Sequence, residues 1–505
     1  DFSKIVEGAI GHGWEVLAQQ KRVSLGREFK FEVTSGIDWF DVNVNFKFND
    51  NAFSLPHLLQ NLQSGERLVK LGDGSFGLLP EAWLKKFGPL AEMAKITESG
   101  IRLNKVQALF FSASLEGSDD LTDDKKIGSL LKIVEELQNL KSGVANKKFK
   151  GKLRDYQKKG LAWLKLLSRH DIGGVLADDM GLGKTIQVIS LLCENKPSKK
   201  SLPSLIVMPK SLIFNWQQEL QKFAPHISVL NYTGSVRHSE FAKIGGHDLI
   251  LTTYQSLRSD IEKFKELNLE YLILDEAHYI KNSQSQANMA CRLIKAERRL
   301  ALTGTPVENS LGDLFSLLSV VSPGLISESL AARWQKETDA EALGKLARAL
   351  APFILRRAKE DVLKDLPKKT EQVLYCELSP AEKKKYESLK SFYWGKLSGK
   401  IEDQGLSRSK IDVLEALLRL RQASCHQGLL DVSLRDQSSS KFDLLLTQIE
   451  GALQEGHKVL VFSQFTTLLG LLKPHLKEKN IPFEYLDGQT QNREEAVSNF
   501  QNNPD

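Results

Sequence analysis

The sequence predicts an α/β protein built around a doubly wound parallel sheet, with an α+β domain before it and the start of a second α/β lobe after it. Two observations carry this. Between about residues 151 and 325, short apolar runs alternate with helical segments: GGVLAD, SLIVMP, DLILTT, YLILDE and RLALTG. The first run opens into DDMGLGKT (178–185), and the fourth ends in DEAH (275–278). Strand, Gly-rich turn, helix is the order a phosphate-binding loop requires, and it places both motifs at strand ends of one sheet.

Residues 1–145 have a different character. FKFEV (29–33) and VNVNFKF (42–48) alternate apolar and polar residues, the pattern of half-buried strands. LVKLGDGSFGLLP (68–80) reads as a hairpin turning at Gly72–Asp73–Gly74, with short helices at 55–62 and 81–87. Nothing there has catalytic spacing, so a structural or partner-binding module is expected. SGVANKKFK (142–150) reads as a linker.

The lobe at 151–325 carries the chemistry. Gly181 and Gly183 let the backbone turn so that successive N–H groups face the phosphates of a nucleoside triphosphate. Lys184 adds a point charge on the outer phosphates, Thr185 a hydroxyl ligand for magnesium, and the helix starting near Gly183 its positive end. The pattern G-x-x-x-x-G-K-[ST] wants glycine at 178, where this chain has Asp178. TyrLeuIleLeu at 271–274 is a continuous apolar run, as in a sheet covered on both faces. At its end Asp275 holds magnesium through water and Glu276 polarises the attacking water.

Beyond the lobe, residues 326–440 turn helical and charged, interrupted by KKTEQVLYCEL (368–378) as a strand. KVLVFSQF (458–465) and FEYLDGQT (483–490) restart the strand–helix rhythm over 441–505. Composition narrows the class. With 41% hydrophobic and 26% charged residues, 505 positions suit several ordered domains. A net charge of +6 is compatible with nucleic acid and weak support for it. Four scattered cysteines without a C-x-x-C pair point to reduced thiols and no zinc site, and no apolar run approaches a membrane span. The opening without methionine and the stop at NNPD suggest a piece of a longer protein.

Taken in order, the motifs resemble the SWI/SNF-type double-stranded-DNA translocases of helicase superfamily two. LRDYQKKGLAWL (153–164) is similar to the family's entry motif, LADDMGLGKTIQVI (176–189) to its phosphate loop, where aspartate at the first glycine position is typical. LIVMPKSLIFNWQQEL (205–220), DLILTTYQSLRSD (248–260) and ILDEAHYIKNSQS (273–285) resemble the next three. The extended motifs LALTGTPVENSLGDLFSLLSVVSPGLI (300–326) and FILRRAKEDVLKDLPKKTE (353–371) are the most diagnostic, because general helicases lack them. KVLVFSQF and YLDGQTQNREEAV (485–497) resemble the first motifs of the second lobe, whereas LRQASCHQGLL (420–430) departs from the usual Asn-His-Pro stretch.

The resemblance implies RecA-like lobes, ATP and magnesium as ligands, and double-stranded DNA as partner. It assigns Gln157 to the adenine edge with Arg154 or Tyr156 near the base. The loop Asp178, Asp179, Met180, Gly181, Leu182, Gly183, Lys184 and Thr185 goes to the phosphates. His278 bridges the triphosphate site to Thr303, Gly304 and Thr305, which couple nucleotide state to lobe movement. DNA phosphates fall to Lys210, Ser211, Thr252, Thr253 and Tyr254, and in the second lobe to Ser463, Gln464, Asp487 and Gly488; the threonines and serines also suit helix caps. Trp216 reads as core. RRAKEDVLKDLPKK reads as a solvated helix face, in this family part of a protrusion beside the DNA. The arginines that reach the γ-phosphate from the second lobe lie past Asp505, so ATP binding with poor hydrolysis is expected of these residues.

The expected activity is a monomeric, ATP-driven translocase that displaces DNA-bound proteins such as RNA polymerase or repair factors. A bacterial cytoplasmic, nucleoid-associated location is expected, with a nuclear one as the alternative. A strand-separating DNA or RNA helicase, or a scaffold that only senses ATP, are the competing readings.

Overall fold

The computed structural model describes residues 2–503 except for 55–67, 79–94, 115–131, 195–201, 306–309, 364–369 and shorter stretches elsewhere. The helices expected at 55–62 and 81–87 lie outside the described residues. The chain divides into two compact units, Asp1–Leu366 and Pro367–Asp505.

In the first unit, β1 (Val16–Ala18), β2 (Lys21–Leu25), β6 (Leu68–Lys70) and β7 (Phe76–Leu78) form a small sheet in the order β1-β2-β7-β6. Its β6–β7 hairpin is the one expected at 68–80, and Gly74 turns it at φ +81°. β3 (Glu28–Ser35) and β4 (Trp39–Phe48) contain the two alternating segments and pair antiparallel. β5 (Asn51–Ser54), β8 (Lys95–Ile96) and β9 (Ile101–Asn104) complete that second sheet.

The central lobe is a seven-stranded parallel sheet. Its strands are β10 (Gly174–Leu176), β11 (Ser204–Met208), β12 (Val229–Tyr232), β13 (Leu249–Thr253), β14 (Asn268–Leu274), β15 (Lys295–Leu302) and β16 (Ile354–Leu355). They run in the order β12-β13-β11-β14-β15-β10-β16, and every pairing is parallel. All five apolar runs expected to be strands are strands. β10, β11 and β13 are buried along their whole length, which is why they read as unbroken apolar runs.

The two edge strands escaped the sequence reading. β12 alternates buried and exposed residues as an edge does, and β16 is too short to leave a period. β16 also lies past residue 325, within the stretch read as helical, yet it pairs with β10 inside the sheet. The 142–150 segment is likewise no free tether. The Lys150 N–H donates to the Phe223 carbonyl at 2.7 Å, and the Phe149 ring stacks on Phe223 at 5.7 Å. Leu109, Phe110 and Val134 from the preceding domain share one apolar core with the lobe.

The second unit is helical among its described residues: α-helices cover Pro380–Gln404, Lys410–Cys425, Ser440–Gln454, Thr466–Glu478 and Arg493–Asn502. The strands expected at 368–378, 458–465 and 483–490 form no ladder among these residues. Their patterning survives: Val459, Val461 and Phe483 pack on a core of Phe442, Leu446, Ile449, Leu472 and Leu476. Intervening side chains such as Phe462 (87% exposed) face outward. Alternation makes a segment half-buried, but a strand also needs a neighbour's N–H and C=O groups. Among the described residues, no helix is long and apolar enough to cross a membrane.

Candidate active site

Three motifs meet at the carboxyl ends of three neighbouring strands. DDMGLGKT follows β10, the Thr303 motif follows β15 beside it, and Asp275–Glu276 follow β14. Gly181 and Gly183 both adopt positive φ, +86° and +74°, the conformation that lets loop N–H groups converge. A β-carbon at Gly183 would stand 2.7 Å from Gln157 Nε2, so glycine there is a matter of space as well as torsion. The next residue opens α1 (Lys184–Leu192), as expected.

Lys184 Nζ donates to the Asp178 carbonyl at 2.8 Å. Burial pushes its pKa down, opposed by the carboxylates of Glu276, Asp178, Asp275 and Asp179. Four carboxylates thus act on one ammonium, although among the described residues no three acidic, histidine or cysteine side chains converge closely enough to hold a metal ion by themselves. Thr185, partly buried, follows Lys184 on the same first turn.

Asp275 is buried, which raises its pKa, while two donors oppose that shift. Trp216 Nε1 donates to Oδ2 at 2.7 Å and the Glu276 N–H to Oδ1 at 2.9 Å. Each oxygen retains a lone pair for a cation or its water. Trp216 is core, as expected, and also orients this carboxylate. Tyr254 donates its hydroxyl to the Asp275 carbonyl at 2.8 Å.

Glu276 is held at φ +47°, a left-handed conformation that costs a non-glycine residue on the order of 1 kcal/mol or more. Its Oε2 is buried without a hydrogen bond, although His278 Nδ1 lies 3.2 Å away. A strained backbone aiming an unsatisfied carboxylate oxygen fits a group that orients water. His278 therefore stands beside Glu276. The Thr303 motif follows β15, between the strands that carry Asp275 and the phosphate loop. A β-carbon on Gly304 would lie 3.1 Å from Met180 of the phosphate loop, and the Thr305 N–H bonds Thr303 Oγ1 at 3.1 Å.

Asp178 needs correction as a ligand-binding side chain. Its carboxylate is fully buried and turns away from the loop's mouth, where it would repel phosphate. Arg357 grips it with two hydrogen bonds, Nε to Oδ1 at 2.8 Å and Nη2 to Oδ2, and Gln187 Nε2 adds a third at 3.2 Å. Arg357 Nη2 also reaches Gln187 Oε1 at 2.8 Å, and Nη1 bonds the Tyr156 carbonyl. Sequence reasoning missed Arg357. The signal was there: a carboxylate inside a loop that follows a buried strand needs a cation, and FILRRAKE offers three, Arg356, Arg357 and Lys359.

Gln157 has both ends of its amide engaged: Nε2 donates to the Leu182 carbonyl at 3.1 Å, and Oε1 accepts from the Arg154 N–H at 2.9 Å. It braces the loop from beneath. Arg154 is exposed at the start of its helix, and the Asp179 carboxylate accepts the Lys359 N–H at 3.0 Å.

The residues assigned to DNA divide. Lys210 and Ser211 are exposed on the turn after β11. Thr252 is buried with its hydroxyl on the Tyr232 carbonyl, Thr253 caps the helix at 254–259 through Ser256, and Tyr254 is buried against Asp275. These three side chains are turned into the protein, and of them Thr253 takes the capping alternative. In the second unit, Ser463 accepts from the Phe465 N–H, and Gln464 is exposed with Oε1 on Arg421. Asp487 closes its own turn on Gln489 and Thr490, beside exposed Gly488.

With this geometry in view, the SNF2-related domain matches residues 156–429, more than half of the 505. The chain belongs to the SNF2-related family. An uncharacterized ATP-dependent helicase of Mycoplasma genitalium is 36% identical over 387 residues, covering 75% of this chain and 36% of its own length. The chromodomain-helicase-DNA-binding protein 1-like of Danio rerio is 34% identical over 370 residues, 69% of this chain and 36% of that one. Among solved structures, the Sulfolobus solfataricus SWI2/SNF2 ATPase core in complex with dsDNA is 36% identical and covers 71% of this chain and 77% of that chain, at a TM-score of 0.42. That superposition is too loose to bear on the fold, which rests on the sheet itself. This SNF2-related chain spans about a third of the length of the first two relatives. DDMGLGKT and FILRRAKE both lie inside the matched region.

Proposed function

We propose that this chain is the ATP-binding part of a DNA-dependent ATPase that translocates along double-stranded DNA and displaces proteins bound to it. One observation carries the reading: the glycine-rich loop, Lys184, Asp275 and the unsatisfied Oε2 of Glu276 gather at the ends of β10 and β14. The extended motifs at 300–326 and 353–371, which general helicases lack, favour translocation over strand separation.

In this reading the loop N–H groups and Lys184 bind the phosphates. Thr185 and Asp275 would hold magnesium, which would supply positive charge against the phosphates. Glu276 accepts the hydrogen of the attacking water and aligns it. Thr303, Gly304 and Thr305, adjoining Met180, carry the change in loop position outward. Lys210 and Ser211, with Ser463, Gln464 and Gly488, meet DNA phosphates without reading sequence. Thr252, Thr253, Tyr254 and Asp487 serve those loops from within. DNA-bound polymerase or repair proteins are the proposed targets.

The test uses the full-length protein. Translocation displaces the third strand of a triplex and leaves a forked duplex paired; unwinding of the fork would mean a strand-separating helicase instead. Glu276→Gln should lower turnover by about a hundredfold or more while ATP still binds. Unchanged turnover would remove Glu276 from that role.

A further inference from the structure

Asp178 and Arg357 do more than satisfy each other's charge. They fasten the segment after β16 alongside the phosphate loop, continuing the parallel ladder past its last strand residues. The Ala177 N–H donates to the Leu355 carbonyl at 2.7 Å, the Asp179 N–H to the Arg357 carbonyl at 3.1 Å, and the Lys359 N–H to Asp179 Oδ2 at 3.0 Å. The side chain that follows this run lies over the loop. A β-carbon built on Gly181 would stand 3.3 Å from both Cε and Nζ of Lys359. Gly181 is itself exposed at the loop's crest.

The charges around the loop favour a ligand for this ammonium. Arg357 is committed to Asp178, Gln187 and Tyr156, and Lys184 lies among four carboxylates. Lys359 is exposed and has no ion pair among the described residues. Its backbone N–H bonds Asp179 and its carbonyl accepts from the Leu363 N–H at 2.9 Å, so the side chain stays beside the loop, with no ion pair among the described residues. A polyanion seated on the loop is the chemistry that completes it.

We propose that Lys359 is a second cationic arm of the nucleotide site, contacting the phosphate chain from the side opposite Asp275, with Arg357 as the residue that positions it. The proposal rests on the phosphate-loop reading above and adds a phosphate-binding residue from outside the loop and its helix. Lys359 reaches the phosphates through its side chain, whereas Arg357 acts only through Asp178 and the backbone.

The experiment is a fluorescent-ATP titration, with magnesium, of the full-length protein and four variants. Lys359→Ala should weaken binding about tenfold, the scale of one charge-assisted contact, and Lys359→Arg should restore most of it. Lys243→Ala, which removes the same charge elsewhere on the surface, should leave affinity unchanged. Lys184→Ala separates the two readings. If Lys184→Ala abolishes binding while Lys359→Ala stays within twofold of the parent, the second arm is wrong and the loop reading stands. If the parent protein does not bind ATP, both fall.

Discussion

At Asp275, one carboxylate reconciles two opposing demands. To hold the proposed cation it must be ionised, yet it sits where burial raises its pKa. The Trp216 indole N–H opposes that shift without cancelling it, donating to Oδ2 without adding charge and leaving lone pairs free. Trp216→Phe keeps an aromatic ring and removes the donor, at the cost of some buried volume. The expected result is about a tenfold rise in the magnesium needed for half-maximal ATPase activity, as for loss of a partner that orients a metal ligand. Unchanged magnesium dependence would reduce Trp216 to packing. The core role of this residue was legible from the sequence, because tryptophan in an amphipathic helix is usually buried. Its polar end was not, since Trp216 and Asp275 meet only once β11 and β14 pair.

The elements of the sheet were legible in proportion to their burial. β11, β13 and β14 announce themselves because both faces are covered and few polar residues interrupt them. β12 sits at the edge and depends on side-chain tethers instead. Asp260 accepts from Arg237 Nε at 2.6 Å and from the Tyr232 hydroxyl at 3.0 Å, fastening the end of β12 to the lobe. Burial would raise the Asp260 pKa, but these two donors outweigh it and hold it below the usual carboxylate value. Tyr232 is pushed up to about 12 by burial and by the same bond. A depressed carboxyl pKa contributes stability above the unfolded-state value near 3.8, and that contribution disappears as pH falls through the folded-state value. Asp260→Asn should therefore destabilise the lobe by roughly 2 kcal/mol at neutral pH. In denaturant titrations the gap from the parent should close as the pH drops below about 4. A gap independent of pH would point to packing alone. The strands expected in the second unit differ for the converse reason: Val459, Val461 and Phe483 find a core, but among the described residues no neighbouring strand supplies a ladder.

Across the whole molecule, the two compact units differ in what a nucleotide does for them. Every proposed ATP and magnesium residue lies within Asp1–Leu366, and none lies in Pro367–Asp505. Ligand binding stabilises only the part that binds. Calorimetry of the 505-residue chain should show a transition that moves upward with magnesium and ATP, by about 2.7 kcal/mol at a hundredfold excess over Kd. A second transition should stay in place. Parallel shifts of both would mean that the units unfold as one. The N-terminal domain belongs with the first transition, because Leu109, Phe110 and Val134 lie in the lobe's own core. That attachment was invisible in the sequence, where 142–150 has the composition of a tether and its contacts with Phe223 are remote.

The buried bond between Asp178 and Arg357 has a consequence for how such chains change over time. Neither residue can be replaced alone without stranding a charge in the interior. The two positions should therefore be inherited together. A relative that reverts to glycine at 178 has no use for arginine at 357, and one that loses the arginine should lose the aspartate with it. What looks in one sequence like a flawed first position of a phosphate-binding pattern is half of a two-residue trait. Its other half lies 179 positions downstream, beyond the reach of any contiguous motif.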